Sequence, residues 1–307
     1  QMRRQPGSTI KPIVVYTPAL EKGYFYDSTL QDKKTSYGSN HYTPKNYDNT
    51  YSGSVPMYKA LYESLNAPAV WLLNKIGVNA GYQMAEKFGL PVEKSDKNLA
   101  LALGGMSNGV SPQQMARAYS VFANGGKLPT AHYIVKIEDA NGKVIKRYRA
   151  KPAKQIISKK MTSMLLGVFN HGTGVSAKPD GYKLAGKTGT TDSGIGDGDR
   201  DKWIVGYTPD IVVATWEGYD STTESQQLAD VTSKNISVLY KAEMSAILPE
   251  TADTQFTVKD AQAKATAKQN KTSSSWWSSF ANNLNDSGST LKQKASDWWS
   301  SLQSMFQ

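Results

Sequence analysis

The sequence predicts an α+β fold: an antiparallel sheet flanked by helices, with a mainly helical subdomain beside it. Helical patterning dominates from about residue 50 to 126, three strand-like segments follow one another between Tyr182 and Asp220, and one more helix closes the folded part before Pro249. With 307 residues, 39% of them hydrophobic, the chain is long enough to bury a sizeable core.

Near the front, the stretch RQPGSTIKP places Pro6 and Gly7 before an apolar run, so a helix is expected to start at Ser8, a favoured capping residue. Ser8 and Lys11 then share one helix face, and a hydroxyl facing an amine where backbone N–H groups are unpaired suits an acyl-transfer nucleophile. Residues 23 to 49 are polar and without period, and read as loop. Helices follow as far as the segment SNGVSPQQMARAYSVFANGGK, where Ser111 caps, Pro112 takes the first helical position, Gln114 closes a capping box, and Asn124 and Gly125 end the helix. The turn Asn141-Gly142 between two alternating segments marks a hairpin. A helix over SKKMTSMLLGVFN precedes a tight turn at Gly172 and Gly174, and the strands YKLAGKTGTT, DKWIVGYTP and DIVVATWEGYD come next. His171 in that turn reads as structural. TSKNISVLYKAEMSAIL is the closing helix.

After Pro249 the composition changes. Residues 250–275 read as a polar linker, and 276–307 as a Trp-rich tail, amphipathic or disordered, with an apolar stripe from Leu291 to Phe306. Trp pairs beside Lys292 and Lys294 point to weak contact with a membrane surface or the cell wall.

Charge and composition exclude several functions. The net charge is +10, but the 36 basic residues are scattered and form no basic run with interleaved aromatics, so anionic surroundings fit better than nucleic acid. With no cysteine and three histidines (His41, His132 and His171) lacking paired spacing, no metal site and no cofactor are expected. No run of 18 apolar residues occurs.

A Ser-x-x-Lys pair is cheap; a second copy stands at Ser289 to Lys292, and Ser-x-Asn occurs at both Ser64 to Asn66 and Ser233 to Asn235. Lys187-Thr188-Gly189 occurs once. The ordered set Ser8-x-x-Lys11, Ser64-x-Asn66 and Lys187-Thr188-Gly189-Thr190 resembles the three active-site motifs of penicillin-binding proteins and serine β-lactamases. Over residues 1–249, with a helical subdomain at about 24–127, the sequence looks like the transpeptidase domain of a class A penicillin-binding protein, the bifunctional kind. No Glu followed four residues later by Asn serves as a β-lactamase water activator; Glu86, Glu93 and Glu138 all fail.

The resemblance implies a serine D,D-transpeptidase that cross-links peptidoglycan stem peptides and is a target of β-lactam antibiotics. Its alternatives are a D,D-carboxypeptidase and a penicillin-sensing module. In this reading Ser8 attacks the penultimate D-Ala carbonyl, Lys11 takes its proton, Ser64 relays a proton, and Asn66 holds Lys11 and the substrate amide. Lys187, Thr188 and Thr190 bind the terminal carboxylate. Gly189 belongs to the same substrate strand, and backbone N–H groups of Ser8 and Thr190 form the oxyanion hole. The resemblance further implies that two strands before the nucleophile helix are missing, one of them a neighbour of IVVATWEGY. It also implies an upstream glycosyltransferase domain and membrane anchor, and work at the extracytoplasmic face of the bacterial membrane.

Overall fold

The computed structural model describes residues 2–131, 134, 136–147, 155–196, 198–228 and 233–284. The chain divides into a compact unit of residues 1–262 and a second unit of residues 263–307.

The first helical run passes through three pitches. It starts as a 3-10 turn (Gly7–Ile10), widens to π-helix (Pro12–Tyr16) and ends as α1 (Thr17–Glu21). Pro12 has no N–H to give the Ser8 carbonyl, which instead accepts from Lys11 N in 3-10 fashion. Ile10 and Ile13 to Tyr16 are wholly buried, as befits a segment apolar on all sides. Ser8 is not the cap. Pro6 holds that position, and Thr9 Oγ1 donates to Pro6 O at 2.6 Å. A tertiary contact overrides the local preference: Gly7 adopts φ +52° against the Thr190 backbone, where a Cβ would come within 2.5 Å of Thr190 O.

The segment read as loop contains a strand. β1 (Thr29–Asp32) pairs antiparallel with β2 (Gly53–Pro56), and the polar stretch between them is pinned by Asp32, which is 2% exposed and accepts from Asn46 Nδ2, Ser52 N and Ser52 Oγ, each at 2.8 Å. Helices α2 (Met57–Tyr62), α3 (Asn66–Ile76) and α4 (Val78–Lys87) follow, then 3-10 turns at Lys94–Asp96 and Leu99–Leu103, then α5 (Pro112–Ala123). The α5 capping box forms as expected: Ser111 Oγ accepts from Gln114 N, and Gln114 Oε1 accepts from Ser111 N. β3 (Lys136–Glu138) and β4 (Val144–Arg147) make the expected hairpin, with a register shift at Ile137/Glu138. Ser289 to Lys292, the apolar stripe and His132 lie outside the described residues.

α6 (Gln155–Asn170) packs on α2 and on the first strand of the main sheet, through Met161, Met164, Leu165 and Phe169 among others. That sheet runs β5 (Ala185–Asp192), β6 (Asp199–Tyr207), β7 (Val212–Gly218), in that order and antiparallel throughout. α5 and α6 pack against it, as does α7 (Ser233–Ile247). Among the described residues β7 pairs on one side alone.

The segment after Pro249 is more ordered than its composition suggests. Phe256 and Val258 join the core, Ser163 Oγ donates to Lys259 O at 2.6 Å, and Asn170 Nδ2 donates to Asp260 Oδ2 at 2.9 Å. α8 (Ala261–Leu284) then occupies most of the expected linker. Two apolar anchors hold the first part, and the Ala, Lys and Gln of 261–270 are strong helix formers.

The α6 to β5 turn depends on close approach. A Cβ at Gly172 would stand 2.2 Å from Tyr62 O, a backbone atom that cannot swing away. Gly172→Ala should therefore cost about 2–3 kcal/mol through overpacking, read as a lowered midpoint in urea; an unshifted midpoint would mean that the turn relaxes freely.

Candidate active site

Three elements converge on one cleft. The 3-10 turn brings Ser8 and Lys11, the α2–α3 junction brings Ser64 and Asn66, and β5 brings Lys187 to Thr190. Ser8, Ser64, Asn66, Thr188, Gly189 and Thr190 all line a cleft of about 590 Å³. Lys11 and Lys187 lie beneath it, each 0% exposed.

The α2–α3 junction turns sharply at Ser64. Ser64 sits at φ +61°, a left-handed conformation that costs a non-glycine residue about 1–2 kcal/mol. Its surroundings hold it there. Lys11 Nζ donates to Ser64 O at 2.7 Å and Asn66 Oδ1 at 2.6 Å, with Leu65 O at 3.3 Å and Ser64 Oγ at 3.5 Å. Lys187 Nζ donates to Ser64 Oγ at 2.7 Å and Thr188 O at 3.0 Å. Both buried amines thus meet at one hydroxyl. Lys11 bonds Ser64 and Asn66 rather than Ser8.

No carboxylate is hydrogen-bonded to either amine among the described residues. Burial, and then the neighbouring Lys187, push the Lys11 amine well below the usual lysine range, while burial brings Lys187 down to about 7. A neutral Lys11 has two hydrogens and one lone pair. The two shortest acceptors, Ser64 O and Asn66 Oδ1, occupy the hydrogens and leave the lone pair for a hydroxyl.

Several positioning residues carry no sequence motif. Asn46 Oδ1 accepts from Asn66 N at 2.9 Å and Ala67 N at 3.0 Å, capping α3 from a distant loop, and Asn46 is itself oriented by Asp32. Asn66 Nδ2 donates to Lys45 O at 2.8 Å, so its Oδ1 is the end that faces Lys11. Thr173 and Thr188 share a hydroxyl hydrogen bond of 2.5 Å. His171 lies 3.4 Å from Asp260 and against Tyr62, at the edge of the turn that carries Thr173. At the front, Arg4 donates to Tyr219 O and Asp220 O and stacks over Trp216, and Trp203 Nε1 donates to Gln5 O at 2.9 Å, tying the turn that carries Ser8 to the sheet. A distant Asn in a polar loop has no pattern by which the sequence could flag it.

Residues 1–236 match the family model for the penicillin-binding protein transpeptidase domain. The chain belongs to that family. Penicillin-binding protein 2a of Streptococcus pneumoniae is 40% identical over an alignment that covers 100% of this chain and 45% of that protein. Penicillin-binding protein 1F of Bacillus subtilis is 44% identical over 73% of the chain and 32% of its own length. The chain thus spans less than half of these curated relatives. Among solved structures, the fold is shared with penicillin-binding protein 1A from Haemophilus influenzae (TM-score 0.67, 24% identity, 85% of this chain and 44% of that one). It is shared also with PonA1 from Mycobacterium tuberculosis (TM-score 0.69, 23% identity, 83% and 71%). The fold class is therefore that of a transpeptidase domain. Among the described residues no helix is long and apolar enough to cross a membrane, and no cluster of His, Cys, Asp or Glu is disposed to hold a metal.

Two outcomes follow from this geometry. Asn46→Ala should lower stability by about 1–2 kcal/mol, because two helix N–H groups and Asp32 lose their partner, and slow covalent capture of a penicillin; unchanged capture would show that Asn66 holds its place without the cap. Lys187→Met tests the buried charge. An amine depressed in the folded state binds its proton more readily when unfolded, so its destabilisation is complete below about pH 7 and fades as pH rises towards the ordinary lysine value of 10.5. The stability of the variant relative to wild type should therefore fall as pH rises through that window; a difference independent of pH would mean that Lys187 titrates as it does in the unfolded chain and that its burial does not depress it.

Proposed function

We propose that this domain is a serine D,D-transpeptidase that cross-links peptidoglycan stem peptides through an acyl-enzyme on Ser8. The observation that carries the reading is the meeting of two buried, depressed lysines at Ser64 Oγ, under a cleft lined by Ser8 and the Lys187-Thr188-Gly189-Thr190 strand.

Acylation begins when Ser8 Oγ attacks the carbonyl of the penultimate D-Ala. Neutral Lys11 takes the Ser8 proton, and its depressed affinity for protons keeps it ready near neutral pH. Ser64 lies between the two amines and passes a proton to the leaving nitrogen of the terminal D-Ala. The free carboxylate of the substrate sits against Thr188, Thr190 and Lys187; its negative charge raises the proton affinity of Lys187, so the amine is cationic when the substrate is bound. The backbone beside Gly7, pressed against Thr190, supports the oxyanion site at the N–H groups of Ser8 and Thr190. An amine of a neighbouring stem then displaces Ser8, and the cross-link forms. A β-lactam enters the same path as a donor mimic and stops at the ester. The complex of PonA1 from Mycobacterium tuberculosis with penicillin V, a protein of the same fold (TM-score 0.68, 21% identity, 84% of this chain and 72% of that one), supports that part. The greater length of the curated relatives leaves room for what the resemblance implies, a membrane anchor and a glycosyltransferase domain upstream and work at the extracytoplasmic face.

Ser8 makes no capping bond, so Ser8→Ala should change stability by no more than about 0.5 kcal/mol. It should nevertheless abolish both covalent labelling by a fluorescent penicillin and steady release of D-Ala from a stem-peptide analogue. Persistent labelling of this variant would refute the nucleophile, and labelling of wild type without D-Ala release would leave a sensor rather than an enzyme.

A further inference from the structure

We propose that Glu63 receives the acceptor amine, as an ammonium, at the rim of the cleft; the proposal rests on the transpeptidase reading above. Cross-linking needs two substrates of opposite character. The donor brings a carboxylate, whereas the acceptor brings a primary amine that is cationic in water. The lysines of the cleft suit the first and offer the second no counter-charge: Lys11 and Lys187 lie under its floor, and Lys202 lines it beside Asp199. An ammonium therefore needs a counter-charge within the same cleft.

The carboxylates among its lining residues are Glu63 and Asp192. Glu63 directly precedes Ser64, whose hydroxyl bonds Lys187 and lies 3.5 Å from Lys11, so it stands one residue from the reaction centre. Asp192 closes the far end of β5, beyond the register shift at Thr191/Asp192. The charges that face Glu63 favour a cation there. Lys59 sits one helical turn back at 3.7 Å, an exposed pair that an arriving ammonium can displace, and Asp32 and Asp48 add negative potential. Tyr47, 83% exposed and next to Asp48 in sequence, lines the same cleft and offers a ring to the amine and its alkyl stem. Partial burial moves the Glu63 carboxyl upward from its ordinary range, which suits a group that must take a proton as well as bind a charge.

The ammonium gives one proton to the Glu63 carboxylate, which later releases it to water. The free amine nitrogen attacks the ester carbonyl on Ser8, a C–N bond forms, the C–O bond to Ser8 breaks, and the second amine proton returns to Ser8 Oγ. Glu63 is a binding residue for the second substrate and takes no part in acylation.

The test uses the whole chain, a D-Ala-D-Ala stem-peptide analogue as donor, and two acceptors at neutral pH: glycinamide, largely cationic, and hydroxylamine, uncharged. The readout is the fraction of acyl-enzyme captured by the acceptor rather than by water. Glu63→Gln should lower capture by glycinamide roughly three- to five-fold, as expected of one partly exposed charge pair, with hydroxylamine capture changed less than about two-fold and Glu63→Asp recovering part of the loss. Equal capture of glycinamide by variant and wild type would overturn the proposal, as would an equal loss for both acceptors, which would mark a structural role. If wild type forms no acyl-enzyme at all, the transpeptidase reading itself fails, and that result is distinct from either.

Discussion

Two buried lysines, bonded to no carboxylate among the described residues and meeting at one serine hydroxyl, set the terms for the rest of this domain. Removing an amine from water is expensive, and without an opposite charge the cost is met by hydrogen-bond acceptors and by loss of the proton. The acceptors here are chiefly backbone carbonyls at the α2–α3 junction and on β5, supplemented by Asn66. That requirement accounts for the bend at Ser64. In an ordinary helix connection the carbonyls of Ser64 and Leu65 would point along the next helix, whereas the left-handed residue turns them towards Lys11. The strain of the bend and the burial of the amine sustain each other.

The scaffold around this pair holds backbone segments together by side-chain bridges of long sequence separation. Asp32 orients Asn46, Asn46 caps α3, and α3 presents Asn66; Arg4 and Gln5 fix the turn that carries Ser8 to the last two strands. Asp201 is fully buried, accepts from Thr191 and Trp216, and stands 3.9 Å from Arg4, so the sheet end and the chain entry share one anion. These links let a polar loop and a strand end act as rigid walls of the cleft.

What was legible in the sequence is what local chemistry decides. The α5 capping box lies within four residues, the Asn141-Gly142 hairpin within a dozen, and both form as read. The sheet followed from three consecutive strand-like segments. The motif residues were legible as a set because their order along the chain is improbable, although each motif alone is cheap. Ser8 as a cap was misread because the deciding contact, Gly7 against Thr190, joins positions far apart in the chain. Asn46, Asp32, Thr173 and Arg4 were invisible for the same reason: each is an ordinary polar residue whose partner lies 14 to more than 200 positions away. The stretch after Pro249 was misread for a different reason. Its average composition is polar, but Phe256 and Val258 are enough to seat it once Ser163 and Asn170 of α6 bond the neighbouring Lys259 carbonyl and Asp260 carboxylate.

The distribution of charge bears on why the two lysines remain unpaired. A carboxylate bonded to Lys11 would raise its proton affinity and, in the proposed mechanism, remove the base, and one bonded to Lys187 would occupy the place proposed for the substrate carboxylate. Burial does the opposite for both, and the neighbouring Lys187 adds to it at Lys11. The anions of the region are correspondingly displaced. Asp201 bonds Thr191 and Trp216, Asp32 bonds Asn46 and Ser52, and Glu63 stays at the rim. An acidic group admitted one residue further along, at Ser64, would neutralise both lysines at once, so the boundary between α2 and α3 is where the site keeps its negative charge out of its floor.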